Sequence, residues 1–355
     1  RSSAGIGLAR CFKSRRVGLR KMSRLAPWLL KQNVSLLSQQ GHAWLLQGPS
    51  GLGQYELASA MVGAWLCESA TAHQLGACGL CGSCHALSVH THADLFVLMP
   101  ETILLELRWP LSEKAQSEID NKTRKPSKEI RIDAMRDAIE FSQRTNARGR
   151  GKAVLVFPAE RMNHVTANAL LKTLEEPPGD VKFVLATEAS HQLLPTIRSR
   201  CLIHTMVWPA THEAIKWLAS QGMSEDDART LLKAAGGRPD EVLKQQSLGQ
   251  SMKWWSQFPR AMLSGDASVC ADLPPTEVID ALQKLCHDLM MLQTQAPLRY
   301  FNEADLPKLK LSGSKLTAWF KRLSNSAKTS EHPFNAGLML ESLCSEAREV
   351  MNSTS

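Results

Sequence analysis

The chain has 355 residues, 43% of them hydrophobic, enough for two or three domains with cores of their own. It has no apolar run of roughly 18 residues or more, which excludes a long transmembrane helix. The net charge of +8 sits mostly at one end. Arg1, Arg10, Lys13, Arg15, Arg16, Arg20 and Lys21 stand in residues 1–21 without an acid, so 42 basic residues less these seven leave 35 against 34 acidic. A remainder at +1 argues against a surface dominated by phosphate contacts.

The leading segment "RSSAGIGLARCFKSRRVGLRK" is acid-free and rich in Arg and Ser, as an organellar transit peptide would be. The preferred reading is upstream sequence ahead of a true start at Met22, because "MSRLAPWLLKQNVSLLSQ" already begins an amphipathic helix. Residues 1–21 are expected outside the fold in either case. Next, "HAWLLQG" (42–48) is a short buried strand ending in the glycine turn "GPSGLGQY" (48–55). "QYELASAMVGAWLC" follows as a helix with Leu57, Met61, Ala64 and Trp65 on one face.

Strand, glycine loop and helix are the context of a phosphate-binding loop, which reads G-x-x-x-x-G-K-[ST]. Gly48, Gly51 and Gly53 would let backbone N–H groups approach an anion at the helix N-terminus. The positions that carry the chemistry hold Gln54 instead of Lys and Tyr55 instead of Ser or Thr. Hydrolysis needs the Lys on the phosphates and the short hydroxyl on Mg²⁺. A glycine turn that merely joins strand to helix is favoured over weak nucleotide retention.

Four of the nine cysteines fall in "CESATAHQLGACGLCGSC" as Cys67, Cys78, Cys81 and Cys84; Cys11, Cys201, Cys270, Cys286 and Cys344 stand apart. An odd count without a secretory signal argues against a disulfide framework and for a reducing cytosol. The spacing C-x10-C-x2-C-x2-C suits a closed structural zinc site on knuckles that Gly79 and Gly82 make possible. A thioredoxin-like redox pair would want one CxxC, not four cysteines. His73 and His85 are bystanders in this reading.

"DLFVLMP" is a second strand, and the charged stretch 100–130, with "SEKAQSEIDNKTRKPSKE", is expected to be a flexible surface insertion. "IRIDAMRDAIEFSQ" starts strand-like and becomes a helix, and "KAVLVFP" is a central strand. In P-loop ATPases such a strand ends in the Asp that holds Mg²⁺. Here Phe157 and Pro158 stand at that point, and Glu160 comes two to three residues late. "VTANALLKTLEEPPGD" is a helix stopped by Pro177 and Pro178, "VKFVLAT" a strand, "HQLLPTIRSR" a short helical segment and "CLIHTMVW" a last strand. The alternation implies a parallel sheet with helices on both faces. Beyond Pro209 only helical patterns remain.

In "TIRSRC" the Arg beside Ser at the module's edge would suit a neighbour's phosphates, since Arg stays charged and binds oxygens bidentately. By residue type alone a surface or salt-bridged Arg is the simpler account.

"ANALLKTLEEPP" (167–178), "FVLAT" (183–187) and "RSRC" (198–201), in this order, together with the cysteine insertion and "THADLFVL" upstream of them, resemble the delta-prime branch of the AAA+ clamp-loader family of bacterial DNA polymerase III. The resemblance runs from "APWL" to about Trp208 and more weakly beyond. It implies an AAA+ base domain over 22–208 carrying the zinc module 67–84, a helical lid over 209–250 and a helical collar for oligomerisation over 251–355. It further implies that the loop binds no ATP productively. Arg200, with Ser199 and Cys201, would reach a neighbouring ATPase subunit's nucleotide as an arginine finger.

The implied partners are motor (gamma/tau) and delta subunits in a hetero-pentamer, and through them the sliding clamp and primer–template DNA. The implied place is the cytoplasmic replisome at the nucleoid, with no membrane. Motor subunits carry a nucleotide-sensing Arg in the lid; "GGRPDEVL" places Pro239 there and Arg238 one residue early. Two readings of other classes remain open: an active ATPase of the same fold, against which Gln54, Tyr55, Phe157 and Pro158 count, and a zinc-dependent DNA-binding protein.

Overall fold

A computed structural model describes residues 25–309, 311–329 and 335–353; the basic leader expected at 1–21 lies outside them. The chain divides into two compact units, one running to Pro49 and then Gly53–Met206, the other made of Ser50–Leu52 and the chain from Val207 onward.

In the first unit, α1 (Pro27–Leu37) starts on a proline, whose fixed φ suits a first helical turn, and buries Trp28, Leu29 and Leu36. β1 (Ala43–Gln47) leads through the glycine loop into α2 (Gln54–Leu66). Two short helices, α3 (Ala72–Leu75) and α4 (Gly82–Ser88), carry the cysteine segment before β2 (Leu95–Leu98). Next come α5 (Glu101–Glu106), α6 (Glu113–Asp120), α7 (Ile132–Gln143) and β3 (Lys152–Val156). The unit closes with α8 (His164–Glu175), β4 (Val181–Thr187), α9 (Pro195–Arg198) and β5 (Leu202–Thr205).

The five strands form one parallel sheet in the order β2-β3-β4-β1-β5. β3 is therefore interior, and β4 occupies the middle. Alternate residues point to opposite faces, so Leu45, Val154, Val156, Phe183 and Leu185 join the layer holding Met135, Ala138, Leu170 and Ile197. Trp44, one step away, meets Trp65 of α2 at 4.9 Å between ring centroids. Burial on both faces explains why β1 and β3 read as continuous apolar runs. The α/β class with helices on both faces is the one the strand–helix alternation predicts. Loops at the carboxyl ends of such strands are where open α/β sheets bind ligands.

Residues 100–130 differ from expectation. The charge pattern predicted a flexible insertion, yet the stretch contains α5 and α6 around a buried carboxylate. Glu101 is 7% exposed and accepts from Arg124 Nη2 at 2.7 Å, from Arg124 Nη1, and from Ser127 N at 2.8 Å. Arg124 Nε also donates to Glu118 at 2.6 Å. Polar bonds organise this segment in place of apolar periodicity, which is why composition misjudged it. Burial pushes the Glu101 carboxyl up, but Arg124 and the Ser127 N–H more than offset this and hold it below the usual carboxylate range. A depressed folded-state value stabilises above the ordinary glutamate range and is lost as pH falls through it. Amide protection in 101–127 should therefore fade as pH falls below the ordinary glutamate range. Glu101→Gln should cost about 1–3 kcal/mol and flatten that pH dependence, as exchange measured across pH would reveal.

Among its described residues the second unit is helical: α10 (Thr211–Ser220), α11 (Glu225–Ala234), α12 (Pro239–Ser247), α13 (Met252–Ser264), α14 (Pro275–Gln293), α15 (Gly313–Thr329) and α16 (Ala336–Asn352). One apolar cluster runs through it from Leu218 and Leu232, by Trp255 and Leu285, to Trp319 and Leu343. Asp288, fully buried on α14, accepts from the backbone N–H groups of Arg299, Tyr300 and Phe301 at 3.1, 2.8 and 2.8 Å. A buried carboxylate stays tolerable when it is hydrogen-bonded this completely. No described helix is long and apolar enough to cross a membrane.

Candidate functional site

The glycine loop leaves the carboxyl end of β1, and its turn uses the left-handed region at Gly51 and Gly53, both at φ +86°. Gly53 is the residue before α2, so the loop ends at a helix N-terminus, as a phosphate cradle would. The side chains decide differently. Gln54 is 2% exposed, and its Nε2 donates to the Gly48 and Pro49 carbonyls, both at 2.8 Å. The group standing in for the lysine turns back onto the loop itself. The Gly48 N–H is engaged as well, to the Thr187 carbonyl at 3.3 Å, so this glycine does not offer the free donor expected of it.

Tyr55 is half-buried. Its ring lies 5.4 Å from that of Phe157, and its Oη accepts from Trp109 Nε1 at 2.9 Å. Burial pushes its phenol above the ordinary value, with the Trp109 hydrogen bond acting the other way. The two positions where a P-loop ATPase keeps its magnesium ligands thus hold two aromatic rings in contact with each other. Glu160, the nearest acid, is already engaged: Thr187 Oγ1 donates to it at 2.7 Å and the Glu188 N–H at 3.1 Å. Gln54, Tyr55 and Phe157 offer no ammonium, no short hydroxyl and no carboxylate, and that of Glu160 is committed. In the second unit, Arg238 precedes α12 and donates to the Ala235 carbonyl at 2.9 Å and the Ser50 carbonyl at 3.1 Å.

Arg200 follows α9, where Pro195 starts a single turn that ends before β5. Its side chain is 29% exposed and pairs with Glu175, the last residue of α8, through Nε at 2.6 Å and through Nη2. Nη1 adds a bond to the Thr196 carbonyl at 2.8 Å. The exposed Ser199 hydroxyl donates to the same carbonyl at 3.1 Å, and burial pushes the Cys201 thiol up to about 12, which makes it inert. Sequence reasoning missed Glu175 as the partner, although "TLEEPP" set it at the end of a helix.

The four clustered cysteines do converge. Cys67 ends α2, Cys78 lies between α3 and α4, and Cys81 and Cys84 begin α4. All four sulfurs lie within 4.8 Å of one another. Individual separations are 3.8 Å for Cys67–Cys81, 3.9 Å for Cys78–Cys84 and 3.7 Å for Cys67–Cys84. A disulfide would need about 2.05 Å. Thiolates about 2.3 Å from a tetrahedral zinc stand about 3.8 Å apart, so the donor set fits that ion.

Backbone N–H groups of Ser69 and Cys78 point at the Cys67 sulfur, and that of Cys84 at the Cys81 sulfur, each at 3.4 Å. Such donors stabilise thiolates; those of Leu80 and Cys81 pull the exposed Cys78 down to about 6. Burial pushes Cys67 and Cys84 the other way, so a bound cation is what would let all four ionise together. Gly79, at φ +73°, makes its turn possible, whereas Gly82 is the first residue of α4 with no such requirement, contrary to the expectation from spacing. Around the sulfurs, Glu68 accepts from Ser83 N and Oγ at 3.0 and 2.9 Å and from Arg148 Nη1 at 2.9 Å. Asp94 accepts from the N–H groups of Ala147 and Arg148 at 2.6 and 2.9 Å, which accounts for the acid of "HADLF".

A family model described as DNA polymerase III, delta subunit, matches residues 29–207, about half of the chain. The chain is 35% identical over 237 residues to the DNA polymerase III subunit delta' of Pseudomonas aeruginosa, covering 65% of this chain and 64% of that one. With the delta' subunit of Escherichia coli it shares 32% over 237 residues, 65% and 63% of the two chains. The match thus spans just under two thirds of these relatives' own length. The Escherichia coli subunit tau is 33% identical over 161 residues, 45% of this chain and 21% of tau. The cysteine insertion, "THADLFVL", "ANALLKTLEEPP", "FVLAT" and "RSRC" all fall inside the family model's span, and the chain belongs to the DNA polymerase III delta-subunit family, among relatives named delta-prime.

Proposed function

We propose that this chain is a non-catalytic, delta-prime-type subunit of the clamp loader of bacterial DNA polymerase III. It would serve as the stationary member of a hetero-pentamer with motor (gamma/tau) and delta subunits that loads the sliding clamp on primed DNA. The observation that carries the reading is the filled loop: Gln54 folds onto the Gly48 and Pro49 carbonyls while Tyr55 packs against Phe157. A phosphate there would meet neither the lysine charge nor the magnesium ion that phosphoryl transfer requires.

Three finer assignments belong to the same reading. Arg200, supported by Ser199 and Cys201, works in trans on a neighbour's nucleotide, where its planar fork binds phosphate oxygens bidentately. Cys67, Cys78, Cys81 and Cys84 hold a structural zinc ion whose ligation contributes folding energy and leaves no open coordination position. The helical region acts as a lid over 209–250 and a collar over 251–355.

The purified chain should neither hydrolyse ATP nor release heat on titration with Mg·ATP. Saturable binding with turnover would replace this reading by that of an active motor subunit.

A further inference from the structure

Trp109 belongs to the segment 100–130 that nothing so far assigns a task. Its indole stacks face to face on His90, with ring centroids 3.8 Å apart and planes 11° from parallel. His90 Nδ1 lies 3.0 Å from the Arg108 carbonyl. His90 and Arg108 both adopt left-handed backbone, at φ +60° and +59°, a conformation that side-chain-bearing residues take only when their surroundings impose it. From the opposite side, Trp109 Nε1 donates to Tyr55 Oη at 2.9 Å, and Tyr55 lies against Phe157. A chain of four rings, His90–Trp109–Tyr55–Phe157, therefore links four sequence-distant points of the first unit. It runs from the turn after α4, by the turn after α5, to the first turn of α2 and the end of β3.

We propose that Trp109 is a latch: it fastens the first turn of α2 to the end of β3 through Tyr55 and Phe157, so that the altered loop is held shut as one solid block. The rings do what a bound metal would do in a working site, joining loop helix to strand, but permanently and without a ligand. This gives the segment 100–109 its role, delivering the indole across the Tyr55 hydroxyl. Directional bonds at both ends of the indole, the stack on one face and the N–H on the edge, distinguish a latch from simple filling. The proposal rests on the reading that the loop takes no nucleotide.

The test follows amide exchange in the full chain, in a peptide covering 54–61, where the Leu57 N–H donates to the Gly53 carbonyl. Trp109→Ala should speed exchange there by about tenfold or more, while peptides of the second unit keep their rates. Trp109→Phe keeps an aromatic ring but removes the N–H, and should give a smaller rise in the same peptide. If Trp109→Ala unfolds the whole unit, Trp109→Phe decides alone: a local rise supports the latch and wild-type exchange overturns it. Unchanged exchange in a folded Trp109→Ala chain overturns the latch and leaves the functional reading standing. Protection of 54–61 in the wild-type chain by Mg·ATP would overturn the nucleotide-free reading, and the filled position with it.

Discussion

Arg200→Ala, placed in a reconstituted clamp loader with clamp and primed DNA, is expected to lower steady-state ATP turnover without dissolving the assembly. In well-studied NTPases a finger in trans contributes about 10³–10⁵ in rate, so a fall of roughly tenfold or more is the modest end of the expectation. The ion pair with Glu175 does not stand in the way. An exposed or half-exposed pair contributes about 0.2–1 kcal/mol, whereas a thousandfold rate effect corresponds to about 4 kcal/mol of transition-state stabilisation. In the proposed role, a neighbour's phosphates would win that competition and Arg200 would exchange Glu175 for them at small cost.

Two companion substitutions sharpen the result. Glu175→Gln should change turnover by no more than a few-fold, since it removes only the holder. Arg200→Lys should fall nearly as far as the alanine variant, because an ammonium cannot reproduce the bidentate fork. Turnover by Arg200→Ala equal to wild type in an intact assembly would leave the chain a scaffold without a finger.

Loss of the proposed zinc ion should have the second largest effect. The native chain is expected to carry one zinc ion, and a chelator or Cys84→Ser should unfold the segment 67–88. Structural zinc contributes apparent binding free energies of about 10–16 kcal/mol in small zinc-binding peptides. Here α2 and the sheet supply other support, so the loss should be confined to the module and lower the melting temperature without abolishing the fold. Metal content by mass spectrometry and circular dichroism before and after chelation would check it. A chain purified without metal, and as stable as the loaded one, would sink the assignment. Cys78→Ser should be milder than Cys84→Ser, because Cys78 is exposed and Cys84 is buried at 2%.

The strand–helix alternation was legible because buried parallel strands must be continuously apolar and bounded by turn residues, as "HAWLLQG" and "VKFVLAT" are. The cysteine cluster was legible for a different reason: thiolates that share a metal must be brought close by short knuckles, and short knuckles leave a spacing. What escaped notice rests on pairings between distant segments that have no period. Tyr55 and Trp109 are 54 positions apart, and neither sits in a motif with the other. The segment 100–130 looked unstructured because its organising contact, Glu101 with Arg124, is made of residues that composition assigns to solvent. The missing chemistry at Gln54 and Tyr55 could be read from residue type, but where those side chains go required their neighbours.

The bonds around Glu68 and Asp94 carry a consequence for how this molecule can change over generations. Arg148 gives its backbone N–H to Asp94 beside the sheet and its guanidinium to Glu68 beside the cysteines. One short stretch therefore serves two masters. A deletion that excised the cysteine segment and rejoined the flanking chain would take Glu68 with it, and Arg148 would lose the carboxylate that orients it. The module looks like a detachable accessory in the linear text. In three dimensions it is tied by Arg148 to the turn that caps the start of β2, and a lineage that discarded it would leave that guanidinium to solvent.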